Sequence, residues 1–310
     1  MSAHVTAEIA GQPDCWRRAA ALAGRLADRL PRPGERVAVV GCGTSYLMAR
    51  SYAALRESLG AGETDAFPAS EPTPLDRGYD RIVALTRSGT TTEVVDLLAA
   101  AAGRRPTLVL TGVPGSPAAR LADRVVDLSF ADERSVVQTR FATTALQLLR
   151  AGLGVDLAPS VADAELALYE PLPPAWERRS QFTFLGTGWT VGIADEAALK
   201  LRETARAWTE SYPAMEYRHG PISVSDRAGL VWCVGPVPAG LREEVESTGA
   251  LFTADAVDPV AALVRAQRLA VALADRRGLN PDRPRNVSRS VILAGAFRPP
   301  AAGAARILRA

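Results

Sequence analysis

Histidine, cysteine and long apolar runs are all scarce in this chain. Its 310 residues include two histidines and three cysteines. Cys15, Cys42 and Cys233 are odd in number, far apart and without metal-ligand spacing. That excludes a disulfide framework and a cysteine-rich metal site, and reads as reduced thiols in a cytosolic protein. No apolar run approaches the roughly 20 residues of a membrane-spanning helix, and residues 1–20 hold no apolar signal core, so no membrane role is expected. The net charge is +2, from 36 basic and 34 acidic side chains, which gives bulk charge no reason to seek nucleic acid. With 47% hydrophobic and 23% charged residues, the composition is that of a globular protein of two domains or one large one.

Short apolar runs alternate with helical patterns along the chain. Residues 5–30 read as one or two amphipathic helices, with Pro13-Asp14 able to start the second. Arg36–Val40 is a strand that runs into Gly41-Cys42-Gly43-Thr44-Ser45 and then a helix through Leu59. Arg81–Leu85 is a strand running into Thr86–Thr92 and a helix at Glu93–Ala102. Thr107–Thr111 and Val125–Ser129 are two further strands. This spacing predicts an α/β fold whose parallel sheet has helices on both faces, with ligands beyond the carboxyl ends of the strands. Pro171–Pro174 marks a linker, after which the pattern restarts. A shift of 145 residues sets Gly41 on Gly186, Gly43 on Gly188, Ala49 on Ala194 and Ala53 on Ala198. Leu230–Val234 then answers to the strand at 81–85. The chain is expected to be an internal duplication: N-terminal helices at 1–34, lobe 1 at 35–170, lobe 2 at 175–296 and a loose tail at 297–310.

Two stretches carry chemistry. The first is the pair of turns at Thr44-Ser45 and Thr86–Thr92. A phosphate monoester needs several donors at a helix N-terminus, and Ser45, Ser88, Thr91 and the amides after Gly89 would supply them, with Arg87 adding charge. Helix capping is the plainer reading, but one cap needs one hydroxyl, and here five of seven residues carry one. Lobe 2 has no such cluster, since Gly235-Pro236-Val237-Pro238 replaces it. Neither nucleotide motif fits, because GxGxxG is incomplete at 41–46 and no Lys follows a Walker-type loop, and no cofactor or metal is expected. The second stretch is Glu196–Pro221. Glu196, Lys200 and Glu203 recur at i, i+4, i+7 and share one helix face, and His219 follows on a loop. A carboxylate and a His so placed suit proton transfer alpha to a carbonyl. The plain alternative is a surface ion pair between Glu196 and Lys200, with His219 in an ordinary turn.

At these residues the chain resembles the sugar isomerase (SIS) family in its double-SIS, flavodoxin-like form. It is similar to the isomerase half of glutamine–fructose-6-phosphate aminotransferase and to stand-alone AgaS-type sugar-phosphate deaminase/isomerases and fructosamine-phosphate deglycases. The motifs are Gly41–Ser45, Thr86–Thr91, Val136–Thr139, Ala198–Glu203, His219–Pro221 and Pro284–Ser290. The resemblance implies that Ser45, Thr86, Ser88 and Thr91 hold the phosphate, with Arg87 in the same loop. It gives Glu203 the C1/C2 proton, His219 the ring opening from across a homodimer interface, and Lys200 an assisting place near substrate. Thr44, Val136, Ser288 and Arg289 fall in substrate-contacting motifs. Two departures stand out. Arg87 replaces the aminating enzyme's Gln, and Arg289 replaces a Lys that forms an imine with the ketose, a reaction closed to a permanently protonated Arg. No glutaminase domain or N-terminal Cys nucleophile is present in the sequence, so glutamine amidotransfer is not expected.

The expected function is aldose–ketose isomerisation of a hexose or amino-sugar 6-phosphate, with or without loss of ammonia. One alternative is a deglycase, in which Arg87 and Arg289 would meet an amino acid's carboxylate. Another is a non-catalytic sugar-phosphate sensor, against which stands the complete set of Lys200, Glu203 and His219.

Overall fold

Val37, Ala38, Val39 and Val40 alternate between two cores, as successive side chains on a strand must. Val37 and Val39 face a core that runs through the middle of the molecule, while Ala38 and Val40 face a smaller one on the far side of their sheet. The computed structural model describes residues 3–71 and 73–294. The elements are α1 (Ala3–Ala10), α2 (Gln12–Ala23), β1 (Val37–Gly41), α3 (Thr44–Ser58), β2 (Thr64–Pro68), α4 (Thr73–Asp76) and β3 (Arg81–Thr86). Then come α5 (Thr92–Ala101), β4 (Thr107–Thr111), α6 (Pro117–Leu121), β5 (Arg124–Asp127), α7 (Arg140–Gly152), α8 (Ala158–Tyr169) and α9 (Pro174–Glu177). The second half holds β6 (Gln181–Gly186), α10 (Val191–Ala205), β7 (Trp208–Pro213), β8 (Gly229–Val234), α11 (Leu241–Ser247), β9 (Leu251–Ala254) and α12 (Pro259–Arg276).

The expected α/β class is what the structure has. Two sheets, ordered β2-β1-β3-β4-β5 and β7-β6-β8-β9, are parallel throughout. The first has the flavodoxin-like order, and the second repeats it one strand short. The glycine turns repeat as well, with Gly43 at φ 53° and Gly188 at φ 58°. Three strands escape a search for apolar runs. The sequences of β2 (TDAFP), β7 (WTESYP) and β9 (LFTA) are short or polar, and all three lie at sheet edges, where one side faces no neighbour. The helix containing Glu196 ends at Ala205, where Arg206 turns left-handed at φ 52°, and the chain at once becomes β7. Residues 287–294 form no helix or strand, and the tail expected at 297–310 lies outside the described residues.

The central core is continuous between the lobes. On its lobe 2 side Leu230, Trp232 and Val234 of β8 point inward, and Val231 and Cys233 face a third, outer core. Within this central layer α3 and α10 run antiparallel, since Thr44 meets Lys200, Arg50 meets Asp195, and Leu47 and Ser51 meet Gly192. The last contact needs glycine. A Cβ on Gly192 would stand 2.4 Å from Ser51 Oγ and 2.5 Å from the Leu47 carbonyl oxygen. This close crossing sets the C-terminal half of α10 beside the N-terminus of α3.

Candidate active site

The two hydroxyl-bearing turns leave the same end of the first sheet, because β1 and β3 are adjacent and parallel. Gly89 N–H donates to Thr86 Oγ1 at 3.2 Å, and Thr90 donates to Ser88 Oγ from its amide (3.2 Å) and its hydroxyl (3.0 Å). Gly89 is left-handed (φ 64°), and a Cβ there would sit 1.9 Å from Ser116 Oγ, so this turn admits no larger residue. The hydroxyl of Thr91 does not cap α5, and that of Ser45 makes no hydrogen bond among the described residues. Cys42, Ser45, Thr86, Ser88 and Thr91 line a cavity of about 20 Å³, with Arg289 on its wall. The Cys42 thiol is pushed up to about 11 by burial, so it is no thiolate nucleophile at neutral pH.

The guanidinium of Arg87 is buried and already paired. It donates to the carbonyls of Ser135 (3.0 Å), Val136 (3.0 Å) and Arg289 (3.1 Å) and lies 3.6 Å from the Glu133 carboxylate. Burial works against both charges, lowering the pKa of Arg87 and raising that of Glu133. Glu133 in turn accepts hydrogen bonds from Thr139 N–H (2.6 Å), Thr139 Oγ1 (2.7 Å) and Arg140 N–H (2.9 Å). Arg289 donates to the Glu133 carbonyl and to Asp132 Oδ1 (2.5 Å). Ser288 is exposed and donates to the Ser290 carbonyl at 2.8 Å. Residues 289–293 therefore lie as a strap across the start of α5. Thr92 N–H donates to the Val291 carbonyl (3.1 Å), Leu293 N–H to Thr92 Oγ1 (2.9 Å), and the hydroxyls of Thr90 and Ser290 share a bond of 2.9 Å.

Glu196, Lys200 and Glu203 do share one face of α10, but that face is no solvated surface. The side chains of Glu196 and Lys200 are each 1% exposed, and that of Glu203 is 20% exposed. Lys200 Nζ donates to Glu203 Oε2 at 2.6 Å and to Thr44 Oγ1 at 2.9 Å, and lies 3.3 Å from Glu196 Oε1. An ammonium has three N–H donors, and here two are hydrogen-bonded while the Glu196 carboxyl group lies near without a hydrogen bond of good geometry. The two carboxylates raise the pKa of Lys200 against the opposing effect of its burial, so it stays a cation. Burial pushes Glu196 up to about 8. His219 is exposed, on a 3-10 turn at Glu216–His219 beyond β7, and makes no hydrogen bond to this cluster. Among the described residues no group of three or more His, Cys, Asp or Glu is placed to hold a metal ion. No helix among them is long and apolar enough to cross a membrane.

Two parallel sheets with a shared helical layer define a doubled α/β class, with a hydroxyl-lined cavity at a strand–helix turn. Residues 32–151 match the model of the SIS domain. It is similar to glutamine–fructose-6-phosphate aminotransferase (isomerizing) of Methanothermobacter thermautotrophicus, at 29% identity over 304 residues covering 83% of this chain and 51% of the relative. The chain thus spans about half the length of the curated relatives it matches. Its fold matches glucosamine-6-phosphate deaminase of Thermotoga maritima, with a TM-score of 0.77, 24% identity and coverage of 93% and 99% of the two chains. It also matches tagatose-6-phosphate ketose/aldose isomerase of Escherichia coli, with a TM-score of 0.77, 18% identity and coverage of 96% and 99%.

Sequence reasoning passed over Glu196 as a site residue. It also passed over a plain signal, for Lys200 is the one lysine in the chain and every other basic side chain among the 36 is arginine. A planar guanidinium cannot replace a compact ammonium enclosed by Thr44, Glu196 and Glu203.

Proposed function

We propose that this chain catalyses aldose–ketose isomerisation of a hexose or amino-sugar 6-phosphate, by moving a proton between C1 and C2. The observation that carries this reading is the Lys200 bridge, in which one buried ammonium binds both the partly exposed acid Glu203 and Thr44 of the phosphate-type turn. The acid is thereby held at a fixed place relative to Ser45, Ser88 and Thr91, which would take the phosphate. Fixing the reacting carbons against a proton carrier is what such a reaction needs most. Glu203 is the carboxylate of the cluster that solvent reaches, so it takes and returns the proton. Lys200 has two of its three donors in hydrogen bonds to Thr44 and Glu203 and acts by orienting Glu203. His219, exposed and outside the cluster, opens the sugar ring from a second copy of the chain in a homodimer. A phosphorylated substrate fits a cytoplasmic enzyme with three free cysteines. Loss of ammonia from an amino sugar uses the same C1/C2 proton transfer and belongs to this reading.

The deglycase alternative depended on Arg87 and Arg289 meeting a substrate carboxylate. Both guanidiniums are already bound, to the carbonyls at 135, 136 and 289 and to Asp132, which favours the simple sugar phosphate. The test is proton NMR in deuterium oxide with glucosamine 6-phosphate, fructose 6-phosphate and galactosamine 6-phosphate. The expected result is loss of the C1 or C2 proton signal, slowed by about 10²–10⁴-fold in Glu203→Gln, the usual share of a general base. Tight binding without exchange on any sugar would point to a sensor and overturn the reading.

A further inference from the structure

We propose that Glu196 is a positioning residue of this site that stays protonated, leaving the Lys200 charge undivided for Glu203. The inference rests on the isomerase reading for its functional meaning, but its physical content stands on the buried cluster alone. Two carboxyl groups flank one ammonium there, so full ionisation would leave a surplus negative charge inside the protein. The three contacts are unequal. Glu203 receives a 2.6 Å charge-assisted bond, whereas the nearest oxygen of Glu196 lies 3.3 Å away. Neither Glu196 oxygen has a hydrogen bond of good geometry, although both are fully buried. A buried carboxylate without hydrogen bonds is costly, whereas a neutral acid in the same place is tolerated. Glu203 is the one of the two that water reaches. Environments that push two neighbouring carboxyls apart in this way assign one the proton and the other the charge.

The groups acting on Glu196 are few. Lys200 and Glu203 lie on its own helix, and Thr44 faces it from α3, while the central core packs around the rest of α10. Burial raises Glu196 to about 8, with Lys200 opposing and Glu203 adding to the rise. At neutral pH the cluster is then one ammonium, one carboxylate and one neutral acid, which balances its charge. Glutamine is the closest uncharged mimic of that acid.

Because the chain has one lysine, protein labelled with ζ-¹⁵N lysine gives one side-chain signal, a direct reporter on the cluster. The experiment titrates that signal in the wild-type protein and in Glu196→Gln, and measures turnover of the sugar found by deuterium exchange. A step in the Lys200 signal near pH 8 is expected in the wild type and absent from Glu196→Gln. A step present in both proteins or in neither overturns the inference. Should Glu196→Gln fail to fold, the wild-type titration decides alone, and the absence of a step near pH 8 overturns the inference. If the wild type turns over no sugar phosphate, the isomerase reading fails, and the lysine titration still decides the state of Glu196.

Discussion

Thr44 and Lys200 belong to different lobes and are joined by a single hydrogen bond of 2.9 Å. Thr44 opens the helix after the first glycine turn, and Lys200 sits late on the helix after the second. The duplication therefore does more than repeat a fold. It brings the N-terminus of one repeated helix to the C-terminal half of its counterpart, and the bond lies where an acid and an anion-type turn meet.

Lys200→Met is expected to lower turnover by about 10²-fold, because Glu203 loses the cation that fixes it. The loss of buried hydrogen bonds to a charged group should cost about 2 kcal/mol of stability, read from urea unfolding. Lys200→Arg should not restore activity, since the slot among Thr44, Glu196 and Glu203 is fully buried and shaped for an ammonium. Wild-type turnover in Lys200→Arg would refute this account of the slot.

Ser45→Ala and Thr91→Val remove hydroxyls that make no hydrogen bond among the described residues. Stability should stay within about 0.5 kcal/mol of wild type, as for substitutions away from structural partners. The Michaelis constant for the sugar phosphate should rise about tenfold for each, with little change in kcat, as expected for loss of one hydrogen bond to a charged ligand. Unchanged KM in both variants would remove this turn as the phosphate site.

The glycine turns and the hydroxyl cluster were legible because they depend on local backbone requirements. Gly43, Gly89 and Gly188 are left-handed where the sequence pattern required a turn. Arg87 was less legible. A cation beside Ser88 suggests an anion ligand, but its partners stand 48, 49 and 202 residues away, where no local pattern reaches. Burial of Lys200 was hidden for the same reason. A charged helix face is usually solvated, and only the crossing of α3 over α10 at Gly192 puts Thr44 on top of it.

The strap at 289–293 is held to the start of α5 by Thr92, to the turn before it by Arg87, and to the Asp132–Glu133 segment by Arg289. Arg289→Ala removes the bonds to Asp132 and to the Glu133 carbonyl and should loosen the strap. The Thr92 amide, bonded to the Val291 carbonyl, should then exchange with deuterium about tenfold faster, as a local opening made easier by about 1.4 kcal/mol would produce. Amides of the central strands β1 and β3 should be unaffected. Arg87→Gln should act more broadly, because it also leaves Glu133 buried with no cation beside it.

The state of Glu196 also fixes a pH dependence of stability. In the unfolded chain this carboxyl loses its proton near its ordinary value, about 4.5, whereas in the folded protein burial holds the proton up to about 8. Between those values the folded state binds more protons than the unfolded state, so unfolding releases a proton and is favoured by raising the pH. The contribution of Glu196 is therefore fully present below pH 4.5, falls between about 4.5 and 8, and is constant above that. Glu196→Gln has no such proton. The stability difference between wild type and Glu196→Gln, measured by urea unfolding across this window, should shift steadily against the wild type as the pH rises. A difference that stays flat, or that moves in favour of the wild type, would mean that Glu196 is ionised in the folded protein throughout. Lys200 would then be shared between two carboxylates.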